Sequence, residues 1–434
     1  MRSRLPLLLT ACFALPTFAL GDTLQRSGPA EDCLDLVILG DGYRSTDRAD
    51  FESDANRLWD QLRTTEPFTR YAGLMNVHTG FRASSIRGPG ENNAYGTHFV
   101  TLFGTRLRAT RMTLLLADAV RAGGEADAVI VLVNTNRRGG TAIGSVCFAS
   151  SSAPRVGIHE LGHVIGRLGD EYSSFSGTPS LTREQLARIY PNLTTASTRA
   201  QLPWKDWVAA STPVPGSFFT SGVSAFQGGG AYSSGLYRPR RACRMRTDGP
   251  GFCEVCRQHL VMALHEGSRP LQLVFSGSGS ARRARLVGPL PDGVWRSRWS
   301  GVQAQGLEAN VPAGLDAFVD VEDATPWVLG EHRRSLRYRF DLRTGAGALV
   351  PGGSGRPARV VGVSTRLRVR ARPTTASTIL GHLQPGAAVR VLGPAESGFF
   401  PIEFDGGTGY VGQNFIRLES PTAGLSSVVG RWAR

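Results

Sequence analysis

Apolar residues recur along this chain with two periods, and the period changes with position. Leu34-Asp-Leu-Val-Ile-Leu39 is an almost unbroken apolar run, the pattern of a strand buried on both faces. Ser45-Thr46-Asp47 then offers N-capping side chains for a helix through about Leu62, with Phe51, Ala55, Leu58, Trp59 and Leu62 on one face. Met75 to Phe81 predicts a second strand, Arg106 to Arg121 an amphipathic helix, and Asp127 to Asn134 a central buried strand. Gly140 to Ser150, rich in small residues, predicts an edge strand leading into a helix around His159. Strands alternating with helices predict an α/β domain over residues 28–268.

Beyond Arg269 the apolar runs shorten and alternate. Leu271-Gln-Leu-Val-Phe275, Ala317-Phe-Val-Asp-Val321 and Leu336-Arg-Tyr-Arg-Phe340 are separated by turn residues, so 269–344 reads as an all-β, sandwich-like domain. Gly345 to Pro357 (GAGALVPGGSGRP) reads as a flexible linker within 345–359, and another short all-β unit occupies 360–420.

Composition refines this picture at a few points. The 434 residues are 41% hydrophobic and 19% charged, which excludes a disordered or fibrous chain and permits sizeable buried cores. After the first 21 residues no apolar run reaches the length of a membrane-spanning helix, so a polytopic membrane protein is excluded. The formal net charge of +14 suggests nucleic acid at first sight. Lys205 is the only lysine, however, and the arginines are spread through the chain without a concentrated patch or a recognisable module. Nucleic acid is therefore not an expected partner; anionic cell-envelope polymers fit better.

Residues 1–21 have the form of a signal peptide. Arg2 and Arg4 precede the apolar run Leu5 to Phe18, and Ala19-Leu20-Gly21 supplies small residues for cleavage. The expectation is export to the periplasm or beyond, with no transmembrane segment afterwards. Leu9-Thr10-Ala11-Cys12 offers the alternative of a lipid anchor on Cys12. Cleavage after Gly21 leaves Cys33, Cys147, Cys243, Cys253 and Cys256, an odd number. In an oxidising compartment the expected bridge joins Cys243 to Cys253 or Cys256. The alternative is a structural zinc held by Cys243, Cys253, Cys256 and His259.

The feature richest in chemistry is His159-Glu160-Leu161-Gly162-His163. Histidines at i and i+4 share one helix face at the separation that holds one zinc ion, Zn2+. Glu160, beside the first of them, reaches a metal-bound water and takes its proton as general base. A third ligand is needed. Gly166 suits the left-handed turn that ends a helix and sends the chain back towards the metal, which favours the short carboxylate of Asp170. Glu171 and Glu184 are the rival carboxylates.

The stretch HELGHVIGRLGDEY resembles the zinc signature of the IgA-peptidase-like bacterial metalloendopeptidases, a metzincin branch. Further landmarks agree over most of residues 33–265, among them DLVILGDGYRSTD, Glu66-Pro67-Phe68-Thr69-Arg70-Tyr71, Pro203-Trp204-Lys205-Asp206-Trp207 and Phe252-Cys253-Glu-Val-Cys256. The resemblance implies a metzincin-like zincin fold and an endopeptidase with His159, His163 and Asp170 as ligands and Glu160 as base. Met245 fits a supporting methionine turn. Thr247 stands where some metzincins carry a tyrosine, so Tyr172 and Tyr237 become the candidates for stabilising an oxyanion. The Gly140 to Ser150 edge offers free N–H and C=O groups to an extended peptide substrate.

Leu367-Arg-Val369, Ile379-Leu-Gly381, Val389-Arg-Val391 and Gly409-Tyr410-Val411 resemble a bacterial SH3-like domain, a small β-barrel. Such domains are often cell-wall or peptide-binding modules, which makes an envelope polymer a candidate partner. Phe399-Phe400 replaces the usual Trp-Tyr pair and is the expected exposed aromatic surface. A cell-wall peptide amidase and a non-catalytic envelope-binding protein are the rival functions.

Overall fold

The apolar runs at 34–39 and 127–134 form the centre of a sheet, and both are buried along their length. The computed structural model describes residues 18–418 except 101–105, 125, 174–180, 250, 280–281, 346, 350–355, 376, 378, 393–394 and 405–406. The residues before Phe18, which hold most of the expected signal peptide and Cys12, lie outside the described residues. The chain divides into two units between Ser268 and Arg269.

The first unit opens with Phe18–Gln25 (β1), Leu34–Asp41 (β2), Arg48–Arg63 (α1), Phe68–Tyr71 (α2) and Met75–Arg82 (β3). His98–Val100 (β4), Arg106–Arg108 (β5), Met112–Gly123 (α3), Ala128–Val133 (β6), Gly140–Ile143 (β7) and Val146–Ser150 (β8) follow. Pro154–Gly166 (α4), Arg183–Ile189 (α5), Phe226–Gly229 (β9), Tyr232–Arg238 (β10) and Glu254–Glu266 (α6) complete it. Six strands pair in the order β1-β3-β2-β6-β8-β7. β2 runs parallel to β3 and β6, β6 parallel to β8, and the two edge strands are antiparallel to their neighbours.

Successive side chains of a strand point to opposite faces, and each face has its own helices. Val37, Leu39, Val129, Val131 and Phe148 cluster with Leu115 and Ala119 of α3. On the other face Gly157 of α4 lies so close to Ile130, Ala149 and Leu58 that α4 packs directly on β6, β8 and α1. The helix carrying the two histidines is thereby held against the middle of the sheet and one strand in from the β7 edge. Inside the α3 face, fully buried Asp118 accepts hydrogen bonds from Arg82 at 2.6 and 2.8 Å and from the Tyr95 hydroxyl at 3.1 Å.

Two sequence expectations need correction in this unit. The helix expected from Arg106 starts only at Met112, because Arg106-Leu107-Arg108 has the two-residue alternation of a strand, with Leu107 alone buried. Gly140 to Ser150 is a hairpin rather than one strand: Gly144, at φ 60°, turns the chain between Ile143 and Val146. β1 includes Phe18 to Leu20, which precede the expected cleavage point after Gly21 and pair with Gly80 to Arg82.

In the second unit, Gln272–Ser276, Arg283–Val287, Glu308–Asn310 and Ala304–Gln305 form one four-stranded sheet. Trp295–Trp299, Phe318–Asp323, Arg337–Asp341 and Gly347–Leu349 form another. A seven-stranded sheet follows, with Arg356–Val360 paired to Ile416–Leu418 at one end and a core of Val360, Val369, Val391, Ile402 and Val411. The linker expected at 345–359 thus contributes strands at both ends, since backbone pairing with Tyr338–Phe340 and with Val389–Val391 overrides its Gly and Pro content. Arg372 pairs with Asp316 at 2.7 Å and Asp341 at 2.8 Å, so the C-terminal sheet is docked on the preceding strands. Phe399 and Phe400 are both half-buried, and Phe400 packs on the barrel core rather than projecting from it.

Removing one partner of a buried ion pair strands the other charge, a cost of about 3–5 kcal/mol. Asp118→Ala should lower the denaturation free energy of the first unit by that order. Urea unfolding followed by tryptophan fluorescence measures it, and an unchanged midpoint would contradict the assignment.

Candidate active site and a neighbouring thiol cluster

The candidate site is built on α4. His159 and His163 lie one turn apart with ring centroids separated by 4.9 Å. Each ring is oriented through Nδ1, which donates to a main-chain carbonyl: Arg244 O at 2.9 Å for His159 and Leu168 O at 2.5 Å for His163. With Nδ1 committed to a carbonyl, Nε2 is the ring nitrogen left to face Asp170, and the neutral ring would offer its lone pair there. The two Nε2 atoms converge on one carboxylate oxygen, Asp170 Oδ1, at 3.0 and 3.2 Å.

This convergence depends on a sharp reversal. α4 ends at Gly166, and Arg167 takes the left-handed conformation at φ 50° and ψ 35°. Gly166 was the expected turn residue; it stays helical instead, packed closely on Leu260, and the residue after it makes the turn. The Leu168 N–H then bonds back to Gly162 O at 3.2 Å. Asn192, fully buried, fixes the loop by accepting from Gly169 N at 2.7 Å and donating to Gly169 O at 2.9 Å and to Glu171 Oε1 at 3.1 Å.

Charge is concentrated here. Burial opposes ionisation of Asp170, but His163 and the hydrogen bonds from both imidazoles outweigh it and hold this carboxyl well below its usual range. Burial likewise disfavours a charged His163, yet Asp170 more than compensates and lifts it to about 9. Burial raises Glu160 above its ordinary value, with the two histidines acting in the opposite direction. Asp170 keeps 30% of its side-chain exposure, so the cluster opens to solvent on that side.

Glu160 is buried beneath Gly140, the first residue of edge strand β7; a Cβ there would collide with its carboxylate. The carboxylate therefore sits at the end of an open backbone edge. Beneath the histidines lies buried Met245, whose sulfur would be 2.7 Å from a Cβ on Gly162. The turn carrying it closes on Cys243 O, which accepts from Arg246 N at 2.9 Å and Thr247 N at 3.0 Å. Tyr172 donates its hydroxyl to Asp170 Oδ2 at 2.8 Å. Tyr237 is held in β10, its backbone paired with Thr194.

Ligand-type atoms of His159, His163 and Asp170 lie within 4.8 Å of one another. The rival carboxylates are elsewhere: Glu184 is exposed on α5, and Glu171 points away into a second cluster with Cys243, Cys253 and Cys256. No disulfide forms there. All three thiols are free and buried, and Cys243 Sγ lies 3.6 Å from Cys256 Sγ. Burial pushes Cys243 up to about 12, while Cys253 is held below the ordinary thiol value because hydrogen bonds from its two neighbours overcome its burial. Sequence reasoning named Glu171 only as a rival ligand beside the histidines, not as a partner of the cysteines, and missed Asn192 and the carbonyls of Arg244 and Leu168. A carbonyl carries no residue-type signal, and a lone asparagine or glutamate in a loop has none until the fold is known.

Residues 23–220 match the family described as IgA Peptidase M64, and residues 365–417 match the bacterial SH3 domain family. No curated protein matches the chain. NlpC2 from Trichomonas vaginalis is one solved structure with some likeness, at 15% identity over 24% of this chain and 36% of that one. The chain thus spans little more than a third of that protein, and a TM-score of 0.14 lends the likeness no weight. Residues 23–220 thus match a peptidase domain of the IgA Peptidase M64 family, and residues 365–417 a bacterial SH3 domain.

Proposed function

We propose that the protein is an exported, zinc-dependent endopeptidase with a metzincin-like catalytic domain, in which His159, His163 and Asp170 hold the metal and Glu160 is the general base. The observation that carries this reading is the convergence of two imidazole Nε2 atoms on one carboxylate oxygen, Asp170 Oδ1, beside a buried glutamate. Two imidazoles and a carboxylate are the donor set of a catalytic zinc with one position left open. When bound, the ion supplies Lewis acidity towards water and a carbonyl oxygen.

The remaining work belongs to the chain. The free edge of β7 pairs with an extended peptide and aligns its backbone past Glu160. Glu160 accepts a proton from the attacking water and returns it to the leaving amine; its burial raises its proton affinity towards that of such a shuttle. Tyr172, hydrogen-bonded to Asp170, stands beside the point where negative charge develops on the carbonyl oxygen. The two sheets that follow the peptidase domain in the sequence form a sandwich-like domain. The bacterial SH3 domain favours a cell-envelope partner and, as a second reading, peptide bonds of the cell wall as substrate.

Glu160→Gln should retain zinc and lose peptide turnover by about two to four orders of magnitude. Asp170→Ala should lose the metal, whereas Glu184→Ala should keep it. Metal analysis and hydrolysis of casein and purified cell wall check these outcomes, and full activity in Glu160→Gln would overturn the mechanism. Asn192→Ala should leave the chain folded but weaken zinc retention by about 10–100-fold, since it removes the clamp on Gly169 together with the hydrogen bond to Glu171. Competition with a chelator measures that loss.

A further inference from the structure

Behind the histidine cluster, three cysteines and a glutamate meet in the core without a disulfide. Cys243 begins the turn that carries Met245, Cys253 caps the N-terminus of α6, Cys256 lies in its first turn, and Glu171 follows Asp170 directly. All four are buried, and one ligand-type atom from each lies within 4.8 Å of the others.

We propose that Cys243, Cys253, Cys256 and Glu171 bind a second metal ion, a structural zinc that fastens the Asp170 loop to the methionine turn. A disulfide requires sulfurs about 2.05 Å apart, whereas Cys243 Sγ and Cys256 Sγ are 3.6 Å apart. Tetrahedral zinc with Zn–S bonds of about 2.3 Å separates its sulfurs by about 3.7 Å, so the spacing suits an edge of a zinc tetrahedron. Three thiolates and one carboxylate form a closed, soft donor set that selects zinc and leaves no position for substrate.

Glu171 supplies an independent sign. Its Oε1 is engaged by Asn192 at 3.1 Å and by the Cys256 thiol at 3.1 Å, but Oε2, equally buried, accepts no hydrogen bond among the described residues. A buried carboxylate oxygen left without a partner is costly, and a cation removes that cost. His259, the fourth ligand expected from sequence, is not in the cluster. Cys253 lines an open cleft of about 630 Å³, which gives an ion a way in.

The site would bind the ligand loop at its base. Glu171 N–H donates to Met245 O at 2.7 Å, and Arg244, between Cys243 and Met245, provides the carbonyl that orients His159. An ion joining Glu171 to Cys243 therefore ties both ends of this arrangement to α6. Its contribution is to hold Asp170 and His159 in position; it takes no part in the reaction.

The full chain reconstituted with Co2+ tests the proposal. It should bind two ions, counted by native mass spectrometry, and show thiolate-to-cobalt charge-transfer absorption in the near ultraviolet. His159→Ala/His163→Ala should keep that absorption with one ion, and Cys243→Ser/Cys256→Ser should abolish it. Glu171→Gln, which preserves volume, should release the thiolate-bound ion to a chelator about tenfold faster or more. A wild-type chain without the charge-transfer band, with Cys243 found in a disulfide or with three free thiols, would overturn the proposal, and it needs no variant to fold. A wild-type chain that shows the band but binds one ion would uphold this site and count against zinc at His159 and His163.

Discussion

A carboxylate placed seven residues after the second histidine reaches both ring nitrogens only if the helix stops at once and the chain doubles back. The left-handed Arg167 provides that reversal, and the Leu168 N–H, bonded to Gly162 O, holds it. Left-handed backbone is unfavourable for a residue with a side chain, by about 1–2 kcal/mol. The surrounding contacts therefore have to hold it. Asn192 brackets Gly169 on both its N–H and its C=O, and Glu171 is anchored on Met245 O. Without these bonds the loop would be free to swing Asp170 away, and the histidines would face water.

The sheet supplies the rigid reference for this loop. Because α4 packs on β6, β8 and α1 through Gly157, the histidine face has a fixed height above the sheet. Gly162 extends the same logic downward, since only a residue without a side chain lets the sulfur of Met245 and the ring of Phe252 come up between the histidines. Gly140 does so sideways, leaving room for the Glu160 carboxylate at the start of the edge strand. Three close approaches thus place metal-type ligands, base and open backbone edge within one small volume.

Much of this was legible in the sequence for a physical reason. Continuous apolar runs at 34–39 and 127–134 have no alternative but burial on both faces, and both became central strands. The i, i+4 spacing of His159 and His163 dictates a shared helix face wherever that helix lies. Legibility ended where a residue type permits several conformations. Gly166 was the obvious candidate for the left-handed position, but close packing against Leu260 reserved it for the helix and passed the turn to Arg167. Arg106-Leu107-Arg108 is too short for its period to compete with the helix that follows. The Gly- and Pro-rich stretch after Arg343 reads as a tether, yet its first end folds back on the adjacent strand at Tyr338–Phe340 and its second pairs with Ala388–Val391, a strand distant in sequence that no local pattern announces. The cysteines near 250 suggested a bridge or a metal site, and the decisive fourth donor, Glu171, came from a loop far along the chain.

The central claim is that the reversal after α4 makes Asp170, and not another carboxylate, the third ligand beside His159 and His163. Anomalous diffraction at the zinc edge from crystals of the full chain tests it most directly. The account predicts a zinc peak about 2.0–2.2 Å from His159 Nε2, His163 Nε2 and an oxygen of Asp170. No peak between the two histidines, or one completed by Glu171 or Glu184 with Asp170 turned away, would contradict it.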